Sequence, residues 1–176
     1  KTAVYVLARN IGEGGDRTAT AGDYYLSETE RANLEILGAT YRNVVVALNT
    51  GAVLDTGFFD AVNAKVDDPR GGQALDALLF MSQPGQEAGH ALVDVLTGAV
   101  TPSGKTVDTW ASKYDYYPAA ATFSNNDGSL TPETYREGVY VGYRYFDSFY
   151  RSINRANPAS VVNYPFGYGL SYTDFD

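Results

Sequence analysis

The sequence predicts an α/β fold: a mostly parallel sheet with helices on both faces, an α/β sandwich occupying residues 1–176 as a single domain. Three observations predict it. Short apolar runs alternate with amphipathic stretches in the order β-α-β-α-β-α across residues 3–98, a pattern that makes a parallel sheet covered by its crossover helices. Asn43-Val44-Val45-Val46-Ala47-Leu48 is apolar without alternation, as a strand covered on both faces requires. A glycine-rich segment, Ile11-Gly12-Glu13-Gly14-Gly15-Asp16-Arg17, follows directly on the first apolar run, and ligands in open α/β folds gather at the carboxyl ends of strands.

The elements follow in order. Residues 3–9 are apolar with β-branched character and read as the first strand. Ser27 opens a helix, with Glu30 completing the Ser-x-x-Glu capping pattern. Leu34 and Leu37 supply part of its buried face, and Gly38 is expected to end it. The run 43–48 is the second strand, broken by Asn49-Thr50-Gly51. Phe58 to Lys65 suits a short helix, and Ala74 to Met81 has the length of a third strand. Gln86 to Leu96 reads as a helix with Ala88, Leu92, Val95 and Leu96 inward, stopped at Gly98. Beyond Pro102 the character changes. Asp115 to Leu130 is polar and turn-rich, a long surface loop by expectation, and the segment 135–176 is dense in aromatic residues. Those rings suit a core or a seam between domains, where one end of a tyrosine is dry and its hydroxyl finds a partner.

Bulk properties narrow the function. A net charge of −8 repels phosphate backbones and anionic lipid, so neither nucleic acid nor membrane is an expected partner. Cysteine is absent and His90 is the single histidine, which removes thiolate chemistry and multi-histidine metal sites; no cofactor is expected. The absence of cysteine and of Asn-x-Ser/Thr sequons fits a cytoplasmic location. Lys1-Thr2-Ala3-Val4 opens within a strand-like run, so the expectation is an N-terminally truncated piece of a longer polypeptide.

The glycine-rich segment admits more than one chemistry. Glycines on both sides let the backbone turn sharply and project Glu13 from the end of a strand, which suits acid/base work on a docked substrate. A solvated glutamate on a flexible surface loop is the plain alternative. Phosphate binding needs a loop that runs straight into a helix N-terminus; here Gly15 and Ser27 are well separated, and Glu13 and Asp16 would repel an anion. Serine hydrolysis lacks its Gly-x-Ser-x-Gly elbow. A carboxylate-driven glycosidase fits better, since sugar hydrolysis uses one carboxyl as nucleophile or base and another as acid. Arg17 pairing with Asp16 would brace the loop, and that structural role is weighed above direct sugar contact.

Five segments together resemble the C-terminal α/β-sandwich domain of glycoside hydrolase family 3, the β-glucosidases, β-xylosidases and related exo-acting enzymes. They are Gly12-Glu13-Gly14-Gly15-Asp16-Arg17, Pro84-Gly85-Gln86-Glu87-Ala88-Gly89 leading into Asp94-Val95-Leu96-Thr97-Gly98, Pro102-Ser103-Gly104-Lys105, Tyr135-Arg136-Glu137-Gly138-Val139-Tyr140-Val141-Gly142-Tyr143-Arg144-Tyr145-Phe146-Asp147, and Tyr164-Pro165-Phe166-Gly167-Tyr168-Gly169-Leu170-Ser171-Tyr172. In order they cover nearly the whole chain. The resemblance implies a retaining exo-acting β-glycosidase that hydrolyses terminal non-reducing β-D-glucosyl residues. It implies that Glu13 is the acid/base, with Asp16 and Arg17 bracing the loop or lying near substrate. It also implies that the aspartate nucleophile sits on a (β/α)₈ barrel of the same enzyme. The departures matter too: no Ser-Asp-Trp-type nucleophile segment is present, and the only tryptophan, Trp110, follows the Pro-Ser-Gly-Lys turn. Alone, the chain is expected to be inactive. The rival expectation is a non-catalytic carbohydrate-binding or interaction module using the tyrosine-rich end.

Overall fold

A computed structural model describes residues 1–12, 16–66, 71–124, 128, 131–132 and 135–174. The chain divides into two compact units, Lys1–Thr101 and Pro102–Asp176.

In the first unit, β1 (Thr2–Ala8), β2 (Asn43–Asn49) and β3 (Ala77–Phe80) form a parallel sheet in the order β1-β2-β3. The connecting helices are α1 (Glu28–Thr40) and α2 (Gly57–Lys65). Strands added successively on one side by right-handed crossovers place both helices on the same face, and α1 packs beside α2 and against β1 and β2. The register aligns Ala3, Tyr5 and Leu7 with Val44, Val46 and Leu48, and Leu7, Val44, Val46 and Leu48 are buried. Side chains alternate across a strand, so Val4 and Val6 belong to the opposite face, where both are exposed. The central strand is covered on both faces at its middle, since Ala47 is buried along with Val46.

Local chemistry explains where the elements start and stop. Ser27 and Glu30 form the capping box: the Glu30 N–H donates to Ser27 Oγ at 3.2 Å and the Ser27 N–H donates to Glu30 Oε2 at 2.8 Å. Gly38, expected to end the helix, lies inside α1, which runs on to Thr40. The glycine is there for closeness instead of termination: a Cβ on it would stand 2.8 Å from Ala74 Cβ and 3.1 Å from the Ala74 carbonyl oxygen. The third strand is shorter than the apolar run that announces it. Leu75 is buried yet pairs with a side chain, its N–H donating to Asn63 Oδ1 at 2.7 Å and its carbonyl accepting from Asn63 Nδ2 at 3.2 Å. Asp76 then grips the start of β2, its carboxylate accepting from the Val44 N–H at 2.7 Å. Helix α3 (Ala88–Thr97) ends at Gly98, whose φ of 77° is the left-handed conformation that glycine adopts without strain. Ala88, Leu92, Val95 and Leu96 are its half-buried face, while Val93 on the other side is exposed. The predicted inward face is therefore the covered one, although no residue of α3 is fully buried.

The second unit is built from β4 (Trp110–Ala111), α4 (Tyr143–Ile153) and β5 (Val162–Tyr164), with β4 and β5 antiparallel. Its core is Ala111, Phe146 and Val161, with Tyr116, Tyr117, Tyr145, Tyr150 and Ile153 packed around it. The start of the expected surface loop contributes to this core. A 3₁₀ turn over Tyr114–Tyr116 delivers Tyr117, whose ring meets Phe146 edge-on at 5.5 Å and whose hydroxyl accepts from the Ala111 N–H at 3.0 Å. A polar stretch can enter a core when one aromatic has a buried hydrogen-bond partner. Two of the family-like motifs also clasp each other. Thr106, just after Pro102-Ser103-Gly104-Lys105, donates its N–H to the Tyr168 carbonyl and accepts from the Gly167 N–H, each at 2.8 Å. Lys105 Nζ donates to the Gly169 carbonyl oxygen.

Candidate active-site loop

Strand β1 ends at Ala8 on the carboxyl edge of the parallel sheet, and Arg9 extends it by donating its N–H to the Asn49 carbonyl at 3.0 Å. The Arg9 side chain is 6% exposed and forms a bidentate pair with Glu30, at 2.7 Å to Oε1 and 2.9 Å to Oε2. Its Nε donates to the Asp23 carbonyl at 2.7 Å and its Nη1 to the Ala8 carbonyl at 2.8 Å. A guanidinium taken this far out of water needs its donors met in this way, because an unmatched buried charge is strongly destabilising. Glu30 therefore serves two structures at once, the cap of α1 and the end of β1. Burial raises its pKa, but hydrogen bonds from Arg9 and the Ser27 N–H outweigh that and leave it below the ordinary carboxylate value.

Arg17 stands on the other side of the glycine-rich segment. Its Nε pairs with Asp23 Oδ1 at 2.6 Å, Nη2 donates to the Asp23 carbonyl at 2.8 Å, and Nη1 donates to the Val53 carbonyl at 2.6 Å. Arg17 pairs with Asp23 and not with the adjacent Asp16. Asp16 is exposed and makes no hydrogen bond or ion pair among the described residues. Adjacent side chains in non-helical chain point apart, whereas the turn over residues 18–25 carries Asp23 back toward Arg17. That turn is closed by bonds from the Asp23 and Tyr25 N–H groups to the Thr20 carbonyl, at 3.2 and 3.1 Å. Asp23 Oδ2 also accepts from the Thr18 N–H at 2.6 Å and the Thr18 hydroxyl at 3.0 Å. Burial raises the Asp23 pKa, and the Thr18 and Arg17 hydrogen bonds more than reverse it, so the carboxylate is held below its usual range.

The predicted acid/base, Glu13, lies with Gly14 and Gly15 outside the described residues. What the structure gives is the chain on either side, up to Gly12 and again from Asp16. The loop after β2 forms the adjoining wall: Thr50 is fully buried, and the Asp55 N–H donates to the Tyr24 carbonyl at 2.9 Å. Burial pushes the Asp55 carboxyl up, against the lowering pull of the Gly57 N–H and Arg31. Sequence reading missed Arg9, Asp23 and Asp55. Arg9 carried a signal, being a cation that directly continues an apolar strand; Asp23 and Asp55 carried none, because their partners are set by turns.

Elsewhere, His90 is exposed and sits 2.5 Å from Glu87 Oε2 on the surface of α3, a solvated pair. An open depression in the second unit is lined by Tyr140, Tyr143, Arg144 and Asp147. Among the described residues no three His, Cys, Asp or Glu side chains are grouped to hold a metal ion, and no helix is long and apolar enough to cross a membrane.

Comparison with known proteins places this architecture. Residues 1–143 match the family model of the glycosyl hydrolase family 3 C-terminal domain. A β-glucosidase of Ruminococcus albus is 35% identical over 175 residues, which is 99% of this chain and 16% of that protein. The thermostable β-glucosidase B of Acetivibrio thermocellus is 34% identical over 93% of this chain and 18% of its own length. Among solved structures, a β-glucosidase from Paenibacillus barengoltzii superimposes with a TM-score of 0.80 at 39% identity, covering 98% of this chain and 17% of that one. β-Glucosidase 3B from Thermotoga neapolitana gives 0.79 at 33% identity, covering 98% of this chain and 22% of that one. The chain spans less than a quarter of each of these relatives, and it belongs to glycosyl hydrolase family 3, within the C-terminal domain.

Proposed function

We propose that this chain is the α/β-sandwich part of a retaining, exo-acting β-glucosidase that removes terminal non-reducing β-D-glucosyl residues. Glu13 is the acid/base, and the aspartate nucleophile comes from a (β/α)₈ barrel in the same polypeptide. The observation that carries the reading is the alignment of nearly the whole chain with proteins named β-glucosidase. Support comes from the chain on either side of Glu13: strand β1 ends just before it, at the carboxyl edge of the sheet, and Arg9 and Arg17 are both anchored by hydrogen bonds.

The chemistry divides into two displacements. In the first, the glutamic acid passes its proton to the glycosidic oxygen as the C1–O bond breaks and the nucleophile's carboxylate oxygen bonds to C1. In the second, the resulting glutamate takes a proton from water while the water oxygen displaces the carboxylate from C1. Retention requires the two carboxyl groups to stand about 5–5.5 Å apart, so the acid must be delivered to the barrel mouth with little positional freedom.

The test is Glu13→Gln in the full-length enzyme. Turnover of alkyl and phenyl β-glucosides is expected to fall by about 10²-fold or more, the usual worth of a positioned acid. A dinitrophenyl glucoside, whose leaving group needs no proton, keeps its glycosylation rate, and azide restores turnover by replacing water. Equal losses on all substrates would remove Glu13 from this role. The 176-residue chain alone is expected to show no turnover, for want of a nucleophile. The second reading, a carbohydrate-binding or interaction module, draws on the exposure of Tyr135, Tyr140, Tyr168 and Tyr172. Calorimetry with glucose, xylose and cello-oligosaccharides separates the two: binding that survives Glu13→Gln and fails on tyrosine truncation favours the module.

A further inference from the structure

We propose that Asp23 is a positioning residue for acid catalysis, and that it acts by holding together the two arginines that flank Glu13 in the chain. The proposal rests on the reading of Glu13 as the acid/base.

Glu13 is four residues from Arg9 and four from Arg17, so it is the midpoint of the segment whose stems they are. Both guanidinium groups donate to the same atom, the Asp23 carbonyl oxygen, Arg9 through Nε at 2.7 Å and Arg17 through Nη2 at 2.8 Å. The two nitrogens are therefore no farther apart than the sum of those lengths, and the stems are held side by side. Neither can leave easily. Arg9 is fastened to the cap of α1 through Glu30, and Arg17 to the loop after β2 through the Val53 carbonyl. The Asp23 side chain adds the part that a backbone carbonyl cannot: one oxygen pairs with Arg17 Nε, and the other accepts the N–H and hydroxyl of Thr18. It fixes both the arginine and the direction in which the chain continues past it.

Bringing the ends of a loop together in advance removes part of the conformational entropy that the segment would otherwise lose when it docks on substrate. Glycine loses more backbone freedom on ordering than any other residue, and three of the four residues from 12 to 15 are glycine. Charge-assisted bonds suit the task, being shorter and stronger than neutral ones. A rigid stem matters only for steps that need the acid in place, which separates this role from a contribution to folding.

The experiment compares Asp23→Asn, Thr18→Val and Glu13→Gln with the unaltered full-length enzyme on β-glucosides of graded leaving-group acidity. Rates are corrected for the active fraction by titration with a mechanism-based inhibitor. For Asp23→Asn, kcat/KM on phenyl and alkyl glucosides is expected to fall at least about tenfold, with less than about threefold change on the dinitrophenyl glucoside. Azide should accelerate that variant as it does Glu13→Gln. Thr18→Val, which removes only the hydroxyl donor, is expected to show the same pattern at smaller size. A uniform loss across substrates, or a loss accounted for by the inactive fraction, overturns the positioning role. If Glu13→Gln itself lacks the leaving-group dependence, the acid/base reading has failed. If it shows the dependence and Asp23→Asn does not, only the present proposal has.

Discussion

Replacing Gly38 by alanine gives a test in which two physical effects predict opposite signs. In an ordinary solvent-exposed helix the change stabilises, because alanine is about 1 kcal/mol better than glycine in a helix interior. Gly38 is buried, however, and its new Cβ would sit 2.8 Å from Ala74 Cβ, with the Ala74 carbonyl oxygen and carbon at 3.1 and 3.3 Å. Optimal carbon–carbon contact is about 3.5–4.0 Å, so the helix or Ala74 must move by most of an ångström. Ala74 is poorly placed to yield, since Leu75 is bonded on both its N–H and carbonyl by Asn63, and Asp76 is tied to Val44. Forcing a methyl into such a site costs about 1–3 kcal/mol. Set against the propensity gain, the net expectation is destabilisation by about 1 kcal/mol. Urea unfolding followed by far-UV circular dichroism measures it in the first unit, and Trp110 fluorescence follows the second unit separately. The double variant Gly38→Ala, Ala74→Gly removes the shortest contact and should recover part of the loss, with a coupling of at least about 0.5 kcal/mol. A Gly38→Ala variant more stable than the parent would refute the packing argument.

Two further outcomes follow from the carboxylates around the loop. Glu30 and Asp23 are both held below their unfolded values of 4.5 and 3.8, so each contributes stability that is present above those values and lost as pH falls through the lower folded ones; Glu30→Gln should therefore flatten the acid limb of a stability–pH curve for the first unit, and an unchanged limb would contradict the assignment. Asp55 has the reverse sign: its folded pKa is raised above 3.8, so its ionisation opposes folding as pH rises, and Asp55→Asn, whose side-chain oxygen can still accept from the Gly57 N–H, should unfold at higher denaturant at pH 7 with little difference at pH 3.

Much of the fold was legible in the residues themselves, as was the place of a candidate site along the chain, for reasons that differ by element. Ser27 and Glu30 announced a helix start because a capping box is a local device, complete within four residues. The run from Asn43 to Leu48 announced a central strand because only a strand covered on both faces tolerates so little polarity. Family membership was legible because five short motifs recur in order. Helix α4 was overlooked although its signal was present: Tyr143, Phe146, Tyr150 and Ile153 recur at helical spacing, masked by aromatic density on every side.

What remained hidden depends on contacts between residues far apart in the chain. Nothing near Gly38 says that Ala74 will lie against it, so the glycine was read as a terminator. Nothing near Arg17 says that its partner is Asp23 when Asp16 is the adjacent carboxylate. Local sequence determined which segments become strands and helices. Tertiary structure alone decided which charges meet and how closely backbones approach, because turns and crossovers set those distances, and no periodicity along one element records the position of another.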